Sequence, residues 1–108
     1  MSRELVVLSP EEPDLDALPA LVASSGIQGL EVGGPYVFDS RDRLLLRLRD
    51  AMLITVPGEV ERLLSTPVQG PVWWLDLHAA ASPPEALHLA QHCARELAAR
   101  HNGTVWSQ

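Results

Sequence analysis

The chain is expected to fold as an α+β domain, a two-layer sandwich with helices on one face of a mostly antiparallel sheet. Two observations predict it. Each end of the chain reads strand, helix, strand, and the middle third reads as short apolar runs broken by glycine and proline. The length, 108 residues, adds that this is one domain spanning 1–108, large enough to bury a core without a metal or disulfide staple.

The elements follow in order. ELVVLSP opens as a short buried strand, its branched apolar run stopped by Pro10. LDALPALVASSG is a helix with Leu18, Leu21 and Val22 at helical spacing. Asp16 is its expected N-cap, because that choice leaves Pro19 in the tolerated first turn, and Gly26 is its stop. GLEV is a second strand, and Gly33-Gly34 offers a hairpin turn because glycine takes positive φ freely. PYVFDS and RLLLRLR are the next two strands, joined around Ser40 to Asp42; AMLITV is a further one, ended by Pro57-Gly58. GEVERLLS reads as a short helix.

The last third has the strongest local signals. VWWLDLHA is a strand, and SPPE opens a long helix with Ser82 as N-cap, Pro83 at the first helical position and Glu85 as the capping-box acid. The helix is expected to reach about His101, with Asn102-Gly103 as a left-handed stop and TVWS as the closing strand. A strand–helix–strand unit at each end is the outline of a ferredoxin-like (split βαβ) sandwich, here with extra hairpin strands in the middle. Its helices would cover one sheet face and leave the other open.

Composition narrows the function classes. Acidic residues number 14 against 8 basic ones, a net charge of −6, which argues against binding a phosphate backbone and so against nucleic acid. An acidic surface suits a basic protein partner. The single cysteine, Cys93, has no intramolecular mate, which fits a reducing compartment. The N-terminal apolar run Leu5 to Leu8 is short for a signal peptide, and no stretch approaches the roughly 18 apolar residues of a membrane span. The expectation is a cytoplasmic protein without membrane contact.

Alternation along VWWLDLHA assigns faces. Trp73, Leu75, Leu77 and Ala79 point one way, under the helices; Val72, Trp74, Asp76 and His78 point the other. In RLLLRLR the same test places Leu44, Leu46 and Leu48 inward, with Arg43, Leu45, Arg47 and Arg49 outward. If these strands are neighbours, the open face combines Trp74, Asp76, His78, Arg47 and Arg49, the aromatic and arginine composition of interface hot spots. The alternatives are that a loop of the protein or a dimer mate shields Trp74, and that Asp76 and His78 are ordinary solvated residues. On the open-face reading, Trp74→Ala should weaken a partner and leave the melting temperature nearly unchanged.

On the long helix, Ala86, Ala90, Cys93, Ala94 and Leu97 share one face, and small residues there let a helix lie close to a sheet. Glu85, His88, Arg95 and Glu96 lie opposite, with His92 between. His88 and His92, four residues apart, are the candidate metal ligands, with Glu85 or Glu96 as a third. Leu89 stands where a His-Glu-x-x-His helix carries its glutamate, so the expectation is no metal. His101 reads as a favourable charge at the helix C-terminus. There is no G-x-S-x-G elbow, no phosphate-cradling glycine loop and no nucleophile to place beside Asp76 and His78. Neither an enzyme nor a cofactor is expected.

The segments ALHLAQHCARELAARHNG and TVWSQ, an alanine-rich helix, an Asn-Gly stop and a closing strand, resemble the ending of small α+β proteins from actinobacteria. Some of those are similar to immunity proteins of toxin systems. The resemblance implies a small, acidic, cytoplasmic, non-enzymatic protein and assigns no residue a role. The functional expectation is a protein-binding module, in its immunity-like form an inhibitor that occludes a partner's active site. The alternative is a dimeric ferredoxin-like module for small-molecule binding or regulation, its open face buried against a second copy.

Overall fold

A computed structural model describes residues 3–56, 58–64 and 70–107. The elements are β1 (Arg3–Ser9), a 3-10 turn (Leu15–Ala17) running into α1 (Leu18–Ala23), β2 (Glu31–Gly33), β3 (Tyr36–Phe38), β4 (Leu44–Leu48), β5 (Met52–Ile54), α2 (Glu59–Leu64), β6 (Val72–Ala79), α3 (Glu85–Arg100) and β7 (Thr104–Ser107). The strands make one seven-stranded sheet in the order β2-β3-β4-β6-β1-β7, with β5 also on β6. Its pairings are antiparallel. The chain is an α+β fold with an open, antiparallel sheet.

The eight-residue β6 organises this sheet. At about 3.3 Å per residue it spans roughly 26 Å, long enough to carry two short strands end to end on one edge. β4 pairs with Leu77 to Ala79 and β5 with Val72 to Trp74, while β1 pairs with Trp73 to Ala79 along the other edge.

α1 and α3 cover one face. Leu5, Val7, Leu75, Leu77 and Ala79 from the central strands meet Leu89, Ala90, Cys93, Ala94 and Leu97 of α3 and Leu18 and Leu21 of α1 in one core. Trp73, although on the inward side of the alternation, is only partly buried and stands outside that core. Burial, with the charge of Glu96 as a lesser cause, pushes the Cys93 thiol up to about 12. Native protein at neutral pH should therefore resist iodoacetamide, reacting at least tenfold slower than the same chain in denaturant; equal rates would contradict the packing.

Several expectations are corrected by the structure. The helices do not share one face: α2 lies against the opposite side, where Val60 joins Val6, Leu8 and Val72 in a second apolar cluster that also takes Ile54, Leu64, Trp74 and Trp106. Where β4 pairs with β3, the register shifts between Val37 and Phe38, so that Val37 pairs with Leu46 but Phe38 with Leu44. Leu45 is the extra residue of this bulge and turns into the core, while Leu44 is 42% exposed. The side-chain cap is Asp14 rather than Asp16, and it caps the 3-10 turn that leads into α1, its carboxylate accepting the Asp16 N–H at 3.1 Å, while α1 itself follows Ala17 without a side-chain cap. The long helix begins at Glu85 after Pro84, without a side-chain cap from Ser82.

The hairpin between β2 and β3 turns at Gly34-Pro35, one residue later than expected, because Gly33 pairs with Tyr36 and Gly34 carries the positive φ of 60°. After α3, Asn102 takes φ 56° and the Gly103 N–H reaches back to the Ala98 carbonyl at 2.8 Å. The expected Pro57 stop lies outside the described residues. Among the described residues no helix is long and apolar enough to cross a membrane.

Candidate functional site

The sheet face opposite α1 and α3 divides into two halves. At one end α2 and Trp106 cover it with the second apolar cluster. At the other, no helix of the described residues lies over it, and the pairing registers set four side chains in a row across four strands. Glu4 of β1 is opposite His78 of β6, His78 is opposite Arg47 of β4, and Arg47 is opposite Tyr36 of β3. Directly paired residues point to the same side of a sheet, so carboxylate, imidazole, guanidinium and phenol form one stripe. Phe38 continues it along β3, its ring centroid 6.3 Å from that of Tyr36.

Asp76 stands beside this row, two residues before His78 on the same face of β6. Its Oδ1 accepts the indole N–H of Trp74 at 2.9 Å, and its backbone carbonyl accepts the Arg49 N–H at 3.0 Å. Glu4 is held above the usual carboxylate range, first by its partial burial and then by the neighbouring Asp76; the charges of His78 and Arg49 oppose this without prevailing. The Nε2 atom of His78 is shielded from solvent and has no hydrogen-bond partner among the described residues.

The structure thus brings Asp76, His78, Arg47 and Arg49 together on the uncovered half. It places Trp74 at the boundary, opposite Leu8 and Met52, with its ring in the apolar cluster under α2 and its N–H on Asp76. Trp74 is thus partly covered by an apolar cluster to which Val60 and Leu64 of α2 also belong. Glu4 and Tyr36 were not among the sequence candidates. The signal for Glu4 was its alternation with Val6 and Leu8, but only the β1–β6 register sets it opposite His78.

The helix histidines are placed differently. His92 Nε2 lies 2.8 Å from Ser24 Oγ, linking α3 to the end of α1, while His88 is exposed. His101 accepts the Asp14 N–H at Nε2, 3.0 Å away, and its Nδ1 lies 3.5 Å from Glu11. These contacts make His101 a latch between the loop after β1 and the end of α3. Asn102 adds a bond from Nδ2 to Glu11 Oε2 at 2.9 Å. Among the described residues, the group of three ligand-type side chains within reach of one another is Glu4, Asp76 and His78, not a set on α3.

Compared with known proteins, the chain matches no family model, no curated protein and no solved structure.

Proposed function

We propose that this protein is a non-enzymatic, cytoplasmic protein-binding module that engages its partner through the uncovered half of the sheet. The observation that carries the reading is the cross-strand row Glu4–His78–Arg47–Tyr36. It joins an aromatic and an arginine, the residue types that dominate interface hot spots, to groups that accept and donate hydrogen bonds. All four sit on paired strands rather than loops, so little conformational entropy is lost when a partner docks. Tyr36 is 40% and Leu44 42% exposed beside the row, supplying apolar area to bury.

The non-enzymatic part rests on what surrounds the ionisable groups. Asp76 is engaged by Trp74, and the one thiol of the chain, Cys93, is buried on the other side of the sheet. The immunity-like form, occlusion of a partner's active site, follows from the small acidic chain and the resemblance of its C-terminal third. The fold reading that accompanies it is a ferredoxin-like split βαβ: β1, α1, β4, β6, α3 and β7 in chain order, with strands ordered β7-β1-β6-β4 in the sheet. The strands β2, β3 and β5 are then additions to that core.

A homodimeric module is the second reading, favoured by the exposed Met52, Leu53, Val56 and Leu63 around β5 and α2, between 48% and 63% accessible. Native mass spectrometry of the tagged protein from its own host separates the two. A stoichiometric second polypeptide is expected, and Arg47→Glu and Tyr36→Ala should each weaken it at least tenfold. Their melting temperatures should stay within about 4 °C of the parent, as surface substitutions cost about 0.5 kcal/mol or less. A homodimer disrupted by Leu53→Glu and indifferent to Arg47→Glu would replace this reading with the second.

A further inference from the structure

Glu4, Asp76 and His78 offer two carboxylates and an imidazole whose ligand atoms all lie within 4.8 Å of one another. We propose that these three side chains bind one divalent cation of the zinc class on the uncovered face of the sheet. A tetrahedral ion with ligands at roughly 2.0–2.2 Å holds them about 3.4 Å apart. The three need to close by at most about 1.4 Å, a distance that small side-chain rotations of Glu4, Asp76 and His78 cover.

Three further features fit a cation. The Nε2 atom of His78 is sealed from solvent without a hydrogen-bond partner among the described residues, an unusual state for an imidazole nitrogen. Asp76 is oriented from behind by the Trp74 N–H on Oδ1, the kind of outer contact that holds a ligating carboxylate in place. Among the described residues neither of the two carboxylates makes an ion pair with an arginine. Arg47 and Arg49 do lie on this face and repel a cation. Both are exposed, however, so solvent and salt screen them, whereas the three ligands would touch the ion directly. One imidazole with two carboxylates and no thiolate suits zinc, cobalt or manganese better than the all-oxygen ions calcium and magnesium.

The site does not depend on the partner reading and is tested on the purified chain alone. Titration of the metal-free protein with zinc chloride in a calorimeter should show one equivalent bound, and cobalt chloride should give visible d–d absorption at the same stoichiometry. His78→Ala and Glu4→Gln should each weaken zinc by tenfold or more, since losing a ligand costs at least the roughly 10–100-fold that losing an outer contact costs. His88→Ala and His92→Ala should leave it unchanged. Glu4→Gln, nearly isosteric, decides the matter if His78→Ala fails to fold. Absence of saturable zinc binding in the parent overturns the site, as does binding that survives Glu4→Gln and His78→Ala or is lost with His88→Ala.

Discussion

Gly103→Ala is expected to destabilise the protein by about 2–3 kcal/mol, toward the upper end of what overpacking costs. A Cβ at this position would stand 2.5 Å from the Leu8 carbonyl oxygen and 2.9 Å from the Ser9 Cβ. The obstacle is backbone, and it cannot swing aside. β1 is hydrogen-bonded to β6 on one edge and to β7 on the other, and Leu8 pairs with Thr104, the residue after the glycine. Relief requires β7 to part from β1 just where the chain leaves α3. For a domain of about this size the melting temperature should fall by roughly 10–20 °C. Asn102→Gly is the control: the left-handed φ of 56° suits glycine, so only the side-chain bond to Glu11 is lost and the change should stay within about 1 kcal/mol. Thermal melts followed by circular dichroism measure both, and a Gly103→Ala variant that melts within about 3 °C of the parent would refute the close approach.

Trp74→Ala is the second large effect, about 2 kcal/mol. Deleting a fully buried large aromatic costs about 3–5 kcal/mol, and Trp74 is only partly buried, so the figure is scaled down. The side-chain alternation alone suggests almost no loss, because Trp74 falls on the face away from α1 and α3. The structure reverses this, because Trp74 packs on that face into the cluster of Val6, Leu8, Val60 and Val72, which Trp106 also joins. Trp74→Phe should recover more than half of the loss by refilling the cluster, leaving the price of the unpaired Asp76 oxygen. Denaturant melts of the two variants give the comparison. If Trp74→Ala matched the parent, α2 would not be packed on the sheet as described.

Legibility in the sequence varied with the range of the forces involved. The strand VWWLDLHA and the helix ending before Asn102-Gly103 were readable because alternation, helical spacing and a left-handed stop are local properties of the residues themselves. The outward direction of Asp76, His78 and Arg47 was readable in the same way, whereas the cover over Trp74 was not. The β4 bulge was not: Leu44, Leu45 and Leu46 are equivalent as letters, and only pairing with β3 decides that Leu45 is the extra residue and turns inward. The cap at Asp14 was missed because Asp14 and Asp16 both satisfy the local rule. A 3-10 turn before α1 selects between them.

Residue pattern by itself determined the α+β class, the inward and outward sets of β6, and the face of α3 that is buried. Each depends on side chains a few positions apart on a regular backbone. Tertiary structure decided which outward residues meet. Glu4 and His78 are 74 positions apart, and Arg47 and Tyr36 come from a third and a fourth strand; antiparallel register alone sets them in one row. It also decided that a six-residue helix covers half of the open face. A helix that short has too little local stability to announce its docking, so the apolar surface it finds on β1 and β6 determines where it lies.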